Sequence, residues 1–153
     1  MRTGYAIIES NGQQSRHLHS GYLNLNSASL ALKLGQIFTQ LSELVSDYQP
    51  QEMAIEQVFM SKNAAAALKL GQARGAAITA GVNAGLPIYE YSAKAVKLAT
   101  VGYGAASKDQ IQHMVLRILN LRKQLQEDEA DALAIALCHA HSGLNQVQQQ
   151  VRQ

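Results

Sequence analysis

The sequence predicts an α/β fold in which a mixed central sheet is covered by helices on both faces. Three observations carry this. Short apolar runs at 4–10, 53–58 and 87–91 have the length of strands. The stretches from Asn26 to Pro50 and from 61 to 84 repeat apolar residues at helical spacing. The two kinds of segment then follow one another in the order β–β–α–β–α–β–α–α–α, with no internal repeat.

Gly4-Tyr-Ala-Ile-Ile-Glu-Ser10 reads as the first strand, and Asn11-Gly12 is a strong hairpin signal. A second strand is expected at about 15–25, anchored by Leu18, Tyr22, Leu23 and Leu25. Asn26-Ser27 offers capping chemistry for a helix carrying Leu30, Leu34, Ile37, Phe38, Leu41, Leu44 and Val45, which Pro50 stops. Met53 to Val58 has the look of a buried parallel strand with one acid, Glu56, inside it. The helix at 61–84 carries Gly71, Gly75 and Gly81, each costing about 1 kcal/mol of propensity relative to alanine. Close packing would offset that cost, against this chain or against a second copy. Pro87 to Tyr91 reads as a further strand. Ser92 caps a short helix to about Ala99, and Ser107 opens another through about Leu119. The last helix is expected from Glu127 to about His141, with a frayed, glutamine-rich tail from about Gly143.

The length of 153 residues suits one domain, taken as 1–153. Hydrophobic residues at 47% and charged residues at 16% exclude wholesale disorder. The net charge of +2 hides an asymmetry: Ser61 to Gln126 holds nine basic residues against Glu90 and Asp109 alone. Such a half suits a polyanion. A single cysteine, Cys138, excludes an internal disulfide and sits in an apolar run as a buried, inert thiol. No stretch has the roughly 20 apolar residues of a membrane span, and a cytoplasmic location is expected.

The acids carry the chemistry. A carboxylate in a buried strand must take up a proton or find a cation, which makes Glu56 a candidate ligand, with an ordinary strand-end acid as the plainer reading. Asp128 and Asp131 stand three apart at the start of a helix and share one face. Glu127 and Glu129 read as the usual first-turn acids. Oxygen donors of this kind suit magnesium or manganese, and paired ions of that type serve phosphodiester cleavage. The histidines His17, His19, His113, His139 and His141 show no convincing partners by spacing.

The strings Ala54-Ile-Glu-Gln-Val-Phe-Met-Ser-Lys-Asn63, Ala67-Leu-Lys-Leu-Gly-Gln-Ala-Arg-Gly75 and Asp128-x-x-Asp131-Ala-Leu-Ala-Ile-Ala136 resemble the RuvC family. So do Glu90-Tyr91, Val96-Lys97, Val101-Gly102 and Lys108-x-Gln110-x-Gln112-x-Met114-Val115. The resemblance implies an RNase H-like fold and a Holliday junction resolvase, which cuts four-way DNA symmetrically as a homodimer with two Mg2+ ions per subunit, Mn2+ being an alternative. It implies catalytic, metal-binding roles for Glu56, Asp128 and Asp131. It implies DNA contacts by Phe59, Lys62, Lys97 and Lys108, a dimer helix at 61–84, and RuvA and RuvB as partners.

One departure stands at the beginning. The family opens with an apolar strand ending in an aspartate, then Pro-Gly-Ser-Arg-x-Thr-Gly-Tyr. This sequence starts Met1-Arg2-Thr3-Gly4-Tyr5 and joins at Thr-Gly-Tyr. The strand not in this sequence lies, in the resembled fold, between those at 4–10 and 53–58. The expectation is a start codon placed too late, with lowered stability, metal affinity and cleavage in the short form. The alternative to a misplaced start is an inactive paralogue, and the alternatives to a resolvase are a junction-binding dimer that does not cut and a nuclease for RNA–DNA hybrids.

Overall fold

The computed structural model describes residues 2–58 and 63–151, with side chains described as far as Ser142. The elements are β1 (Gly4–Ser10), β2 (Ser15–Tyr22), α1 (Leu30–Tyr48), β3 (Met53–Glu56), α2 (Ala64–Asn83), β4 (Ile88–Tyr91), α3 (Ala93–Val101), α4 (Lys108–Ile118) and α5 (Glu127–Val151). The order is the predicted one. The hairpin turns where Asn11-Gly12 indicated: Asn11 Oδ1 accepts from the Gln13 and Gln14 amides, and Gly12 takes a φ of 89°.

Boundaries differ for local reasons. Ser29, not Asn26 or Ser27, caps α1 by accepting from the Leu32 amide. Asn26 accepts instead from the Gln36 side chain. Gln49 in the left-handed region ends α1 just before Pro50. Asn63 caps α2, while residues 61 and 62 of the expected 61–84 helix lie outside the described residues. Ser107 and Gln110 form a full capping box at α4. The last helix passes its expected end near His141 and runs to Val151, since glutamine is a good helix former and no glycine cap or proline intervenes after Gly143. The frayed side chains expected beyond it lie outside the described ones.

The described strands do not pair as one mixed sheet. They form two two-stranded sheets, β1–β2 and β3–β4.

The chain forms two compact units. The first comprises residues 1–3 and 22–90. Here α1 packs on α2, with Ile37, Ala73, Ala77 and Ala80 buried. A Cβ on Gly81 would press on the Met53 thioether and the Ile88 side-chain end, which would have to give way. Gly71 and Gly75 differ from the intrachain expectation: a Cβ on either meets nothing within 4 Å. They lie with Leu68 and Val82 on an exposed stripe of α2 at helical spacing.

The second unit comprises residues 4–21 and 91 onward. Its core gathers Val96 from α3, Ile111 and Val115 from α4, and Leu133, Ala134, Leu137 and Cys138 from α5. Ala6 and Ile8 of β1 pack against that cluster. Cys138 is buried as expected, and burial pushes its thiol above the ordinary range. Among the described residues no helix is long and apolar enough to cross a membrane.

Candidate active site

The first unit supplies Glu56. β3 is only four residues long and half-buried, and Glu56 is its last, exposed position. The expectation of an acid inside a buried strand therefore gives way to a strand-end acid. Its main chain is held from α2: Arg74 Nε donates to the Glu56 carbonyl at 3.1 Å, and the same guanidinium pairs with Glu90 on β4. One planar side chain thus ties the exit of β3 to its neighbouring strand.

The second unit supplies the remaining acids at the start of α5. Asp128 and Asp131 are partly buried, one turn apart. Beside them Lys108, the first residue of α4, pairs with Glu127. That hydrogen bond raises the Lys108 ammonium above its ordinary range, with the charges of Asp131, Glu127 and Asp128 adding to it. The same bond lowers the Glu127 carboxyl. Asp131 moves the other way. Burial raises its carboxyl above the usual aspartate range, Lys108 opposes this, and the charges of Glu127 and Asp128 add to the rise.

The donor chemistry fits a hard divalent cation. Every candidate ligand is a carboxylate oxygen, and crowded like charges are what a bound cation relieves. Among the described residues no three acidic, histidine or cysteine side chains gather closely enough to hold an ion. Asp128 and Asp131, one turn apart on α5, are brought together as the spacing predicted.

The start of α5 is clamped by residues the sequence did not single out. A Cβ on Gly4 would run into the Asp128 carbonyl oxygen, so β1 meets the helix with no room to spare. Glu129, read from sequence as an ordinary first-turn acid, is 5% exposed. Its Oε1 accepts from Ser20 Oγ of β2 at 2.6 Å and from Lys123 Nζ at 2.6 Å. Ser20 Oγ also meets His17 Nε2 at 2.6 Å. Burial pushes the Glu129 carboxyl up, but the bonds from Lys123 and Ser20 outweigh it and leave the group below the glutamate range. Burial, followed by the Lys123 charge, lowers His17. His19 and His139 also have partners, Tyr5 at 2.9 Å and Tyr91 at 2.6 Å. Spacing gave no sign of the Tyr5–His19 and Tyr91–His139 pairs because each joins segments far apart in the sequence.

Of the expected DNA contacts, Lys108 stands among the acids and Lys97 lies half-buried on α3, which packs on α5. Phe59 and Lys62 lie outside the described residues.

Comparison with known proteins agrees with the strings in the sequence. Residues 1–139 match the family of the crossover junction endodeoxyribonuclease RuvC. The crossover junction endodeoxyribonuclease RuvC of Idiomarina loihiensis is 53% identical over 148 residues, covering 94% of this chain and 83% of that protein. That of Geobacter metallireducens is 52% identical over 152 residues, covering 98% and 93%. Among solved structures, Thermus thermophilus RuvC superposes with a TM-score of 0.82 at 31% identity, over 93% of this chain and 89% of the other. The same protein in complex with a Holliday junction substrate gives 0.84 at 31% identity, over 92% and 87%.

Proposed function

The chain belongs to the RuvC family of crossover junction endodeoxyribonucleases, and from that premise we propose which of its residues cut DNA and how. It has the RNase H-like fold of that family and is a Holliday junction resolvase, a metal-dependent nuclease acting on four-way DNA in recombination and repair.

In our reading residues 1–153 work as one nuclease domain, with Glu56, Asp128 and Asp131 as its catalytic, metal-binding carboxylates. The observation that supports this is the placing of Asp128 and Asp131 one turn apart at the start of α5 beside Glu127 and Lys108, where burial above all raises the Asp131 carboxyl, Lys108 opposes the rise and the charges of Glu127 and Asp128 add to it. Two Mg2+ ions per subunit, or Mn2+ in their place, would supply charge at the scissile phosphate and ionise the attacking water. Asp128 and Asp131 present their oxygens from a rigid helix, which fixes the direction of binding. Glu56 does so from a strand end. Lys108, kept cationic by Glu127, binds the phosphate and offsets charge as it develops. Lys62 and Lys97 hold flanking phosphates, and Phe59 stacks on a base near the crossover.

Homodimerisation through the 61–84 helix belongs to the same proposal. Its support is the open stripe of Leu68, Gly71, Gly75 and Val82, where Leu68 is 65% and Val82 59% exposed. Exposed apolar side chains beside glycines whose Cβ positions meet nothing among the described residues suit a second copy of the helix. RuvA and RuvB are proposed partners on the resemblance alone, and the cytoplasm is the proposed location, with the DNA that is cut.

The test is Glu56→Gln beside Asp128→Asn on a labelled four-way junction. Each should lower cleavage by about three orders of magnitude, the scale of lost metal stabilisation. Gel-shift affinity for the junction without metal should stay within about two-fold of the parent. Cleavage that persists, or binding lost with it, contradicts the assignment.

A further inference from the structure

A buried carboxylate that the cutting reaction does not use calls for a reason, since glutamate is rarely this buried without a partner. Glu129 sits between Asp128 and Asp131 in sequence and on a different side of the helix. Successive residues turn by about 100° on an α-helix, so Glu129 lies about 100° from Asp128 and about 160° from Asp131. Its bonds to Ser20 and Lys123 therefore hold the turn from the face opposite the two aspartates.

Three attachments lock that turn from different directions. Ser20 reaches it from β2 and Lys123 from the α4–α5 connection. Gly4 of β1 meets the Asp128 carbonyl at a distance that excludes any side chain. Proton bookkeeping extends the chain by one residue. Ser20 has a single hydroxyl proton, and it goes to Glu129, which accepts only. Ser20 must then accept from His17 Nε2, so the neutral His17 carries its proton there, and its orientation in turn fixes the hydroxyl.

We propose that Glu129 is a positioning residue of the nuclease: tied by Ser20 and Lys123, with His17 behind Ser20, it sets the rotation of α5 so that Asp128 and Asp131 face one metal site. This rests on the reading of those aspartates as metal ligands. Outer groups that orient metal ligands are typically worth 10–100-fold in metal affinity. The predicted consequence is a metal effect out of proportion to any effect on folding or junction binding.

The experiment uses the full chain and Mn2+ alone as the probe, titrated calorimetrically without DNA. The variants are Glu129→Ala, Glu129→Gln and Ser20→Ala, with Asp128→Asn as the ligand control. Thermal melting and four-way junction gel shifts are run on each. Glu129→Ala should weaken Mn2+ binding about ten-fold. Ser20→Ala, which removes one hydrogen bond and folds readily, should weaken it by a smaller factor. Glu129→Gln keeps the Ser20 bond without the ion pair and should restore part of the loss. Junction affinity should stay within about two-fold in all of them. If Glu129→Ala or, should that variant not fold, Ser20→Ala binds Mn2+ as the parent does while Asp128→Asn does not, the positioning role is wrong and the ligand reading stands. If Asp128→Asn itself leaves Mn2+ binding unchanged, the ligand reading fails, and the positioning role falls with it.

Discussion

In residues 22–90 the strand-end acid Glu56 is held through its main chain, whereas at α5 the aspartates are held through a neighbouring side chain. Arg74 grips the Glu56 carbonyl and Glu90 together and leaves the Glu56 carboxylate on an exposed strand end. Asp128 and Asp131 sit on a helix whose first turn is clamped by Gly4, Ser20 and Lys123. The strand end is tied by one long cation that also pairs with the neighbouring strand. The helix end is held by side chains from β2 and from the α4–α5 connection, and by the close approach of β1. The same carboxylate chemistry thus rests on a main-chain tie in one region and on side-chain ties in the other.

The glycines offer the sharpest way to break this contrast. Gly4→Ala forces a methyl group into the Asp128 carbonyl and should cost about 3 kcal/mol, as overpacking of a tight contact does. Gly71→Ala meets nothing of its own chain and should stabilise α2 by about 1 kcal/mol. Denaturant melts of the two variants measure both. Equal effects would mean that β1 does not press on α5 as described. Sedimentation of Gly71→Ala adds a second reading, since a copy packed on that stripe would be weakened by the added methyl group.

Arg74→Met comes next in size. It keeps the aliphatic stem and removes both hydrogen bonds, so cleavage should fall about ten-fold with junction binding retained. Kinetics with saturating junction would show the loss in kcat. Unchanged kcat would mean that the end of β3 needs no anchor.

The smallest effect is a pH dependence at His17. Its folded-state value lies below the ordinary 6.5, chiefly through burial. As pH falls through 6.5 the unfolded chain takes up this proton first, so stability declines there and levels off once the folded value is passed. His17→Asn removes that contribution. The melting temperature of the parent should drop more between about pH 7.5 and about pH 5.5 than that of the variant, and parallel curves would contradict the burial of a neutral imidazole.

How much of this was legible in the sequence follows from the range of each interaction. Element order, the Asn11-Gly12 turn and the Ser92 and Ser107 caps are local, and the residues themselves specify them. The pairing of Asp128 with Asp131 is equally local, one helical turn. Glu129 was not legible, because an acid in a first turn looks the same whether it faces water or Ser20, 109 positions earlier. Arg74 stands within a family string, but its grip on Glu56 depends on how α2 lies along β3. Gly71 and Gly75 look like Gly81 in sequence, yet among the described residues a Cβ on Gly81 meets neighbours and one on Gly71 or Gly75 does not. The length of α5 was underestimated because glutamines were weighed as tail composition rather than as helix formers.

The central claim is that Asp128 and Asp131, one turn apart at the start of α5, are ligands of one metal ion. A double-mutant cycle in Mn2+ affinity tests it most directly, with Asp128→Asn, Asp131→Asn and the combined variant titrated by calorimetry. If Asp128 and Asp131 hold a shared ion, either single change should remove most of the affinity, and the combination should add little. Losses that simply add, each acid behaving as though the other were absent, would contradict the shared site.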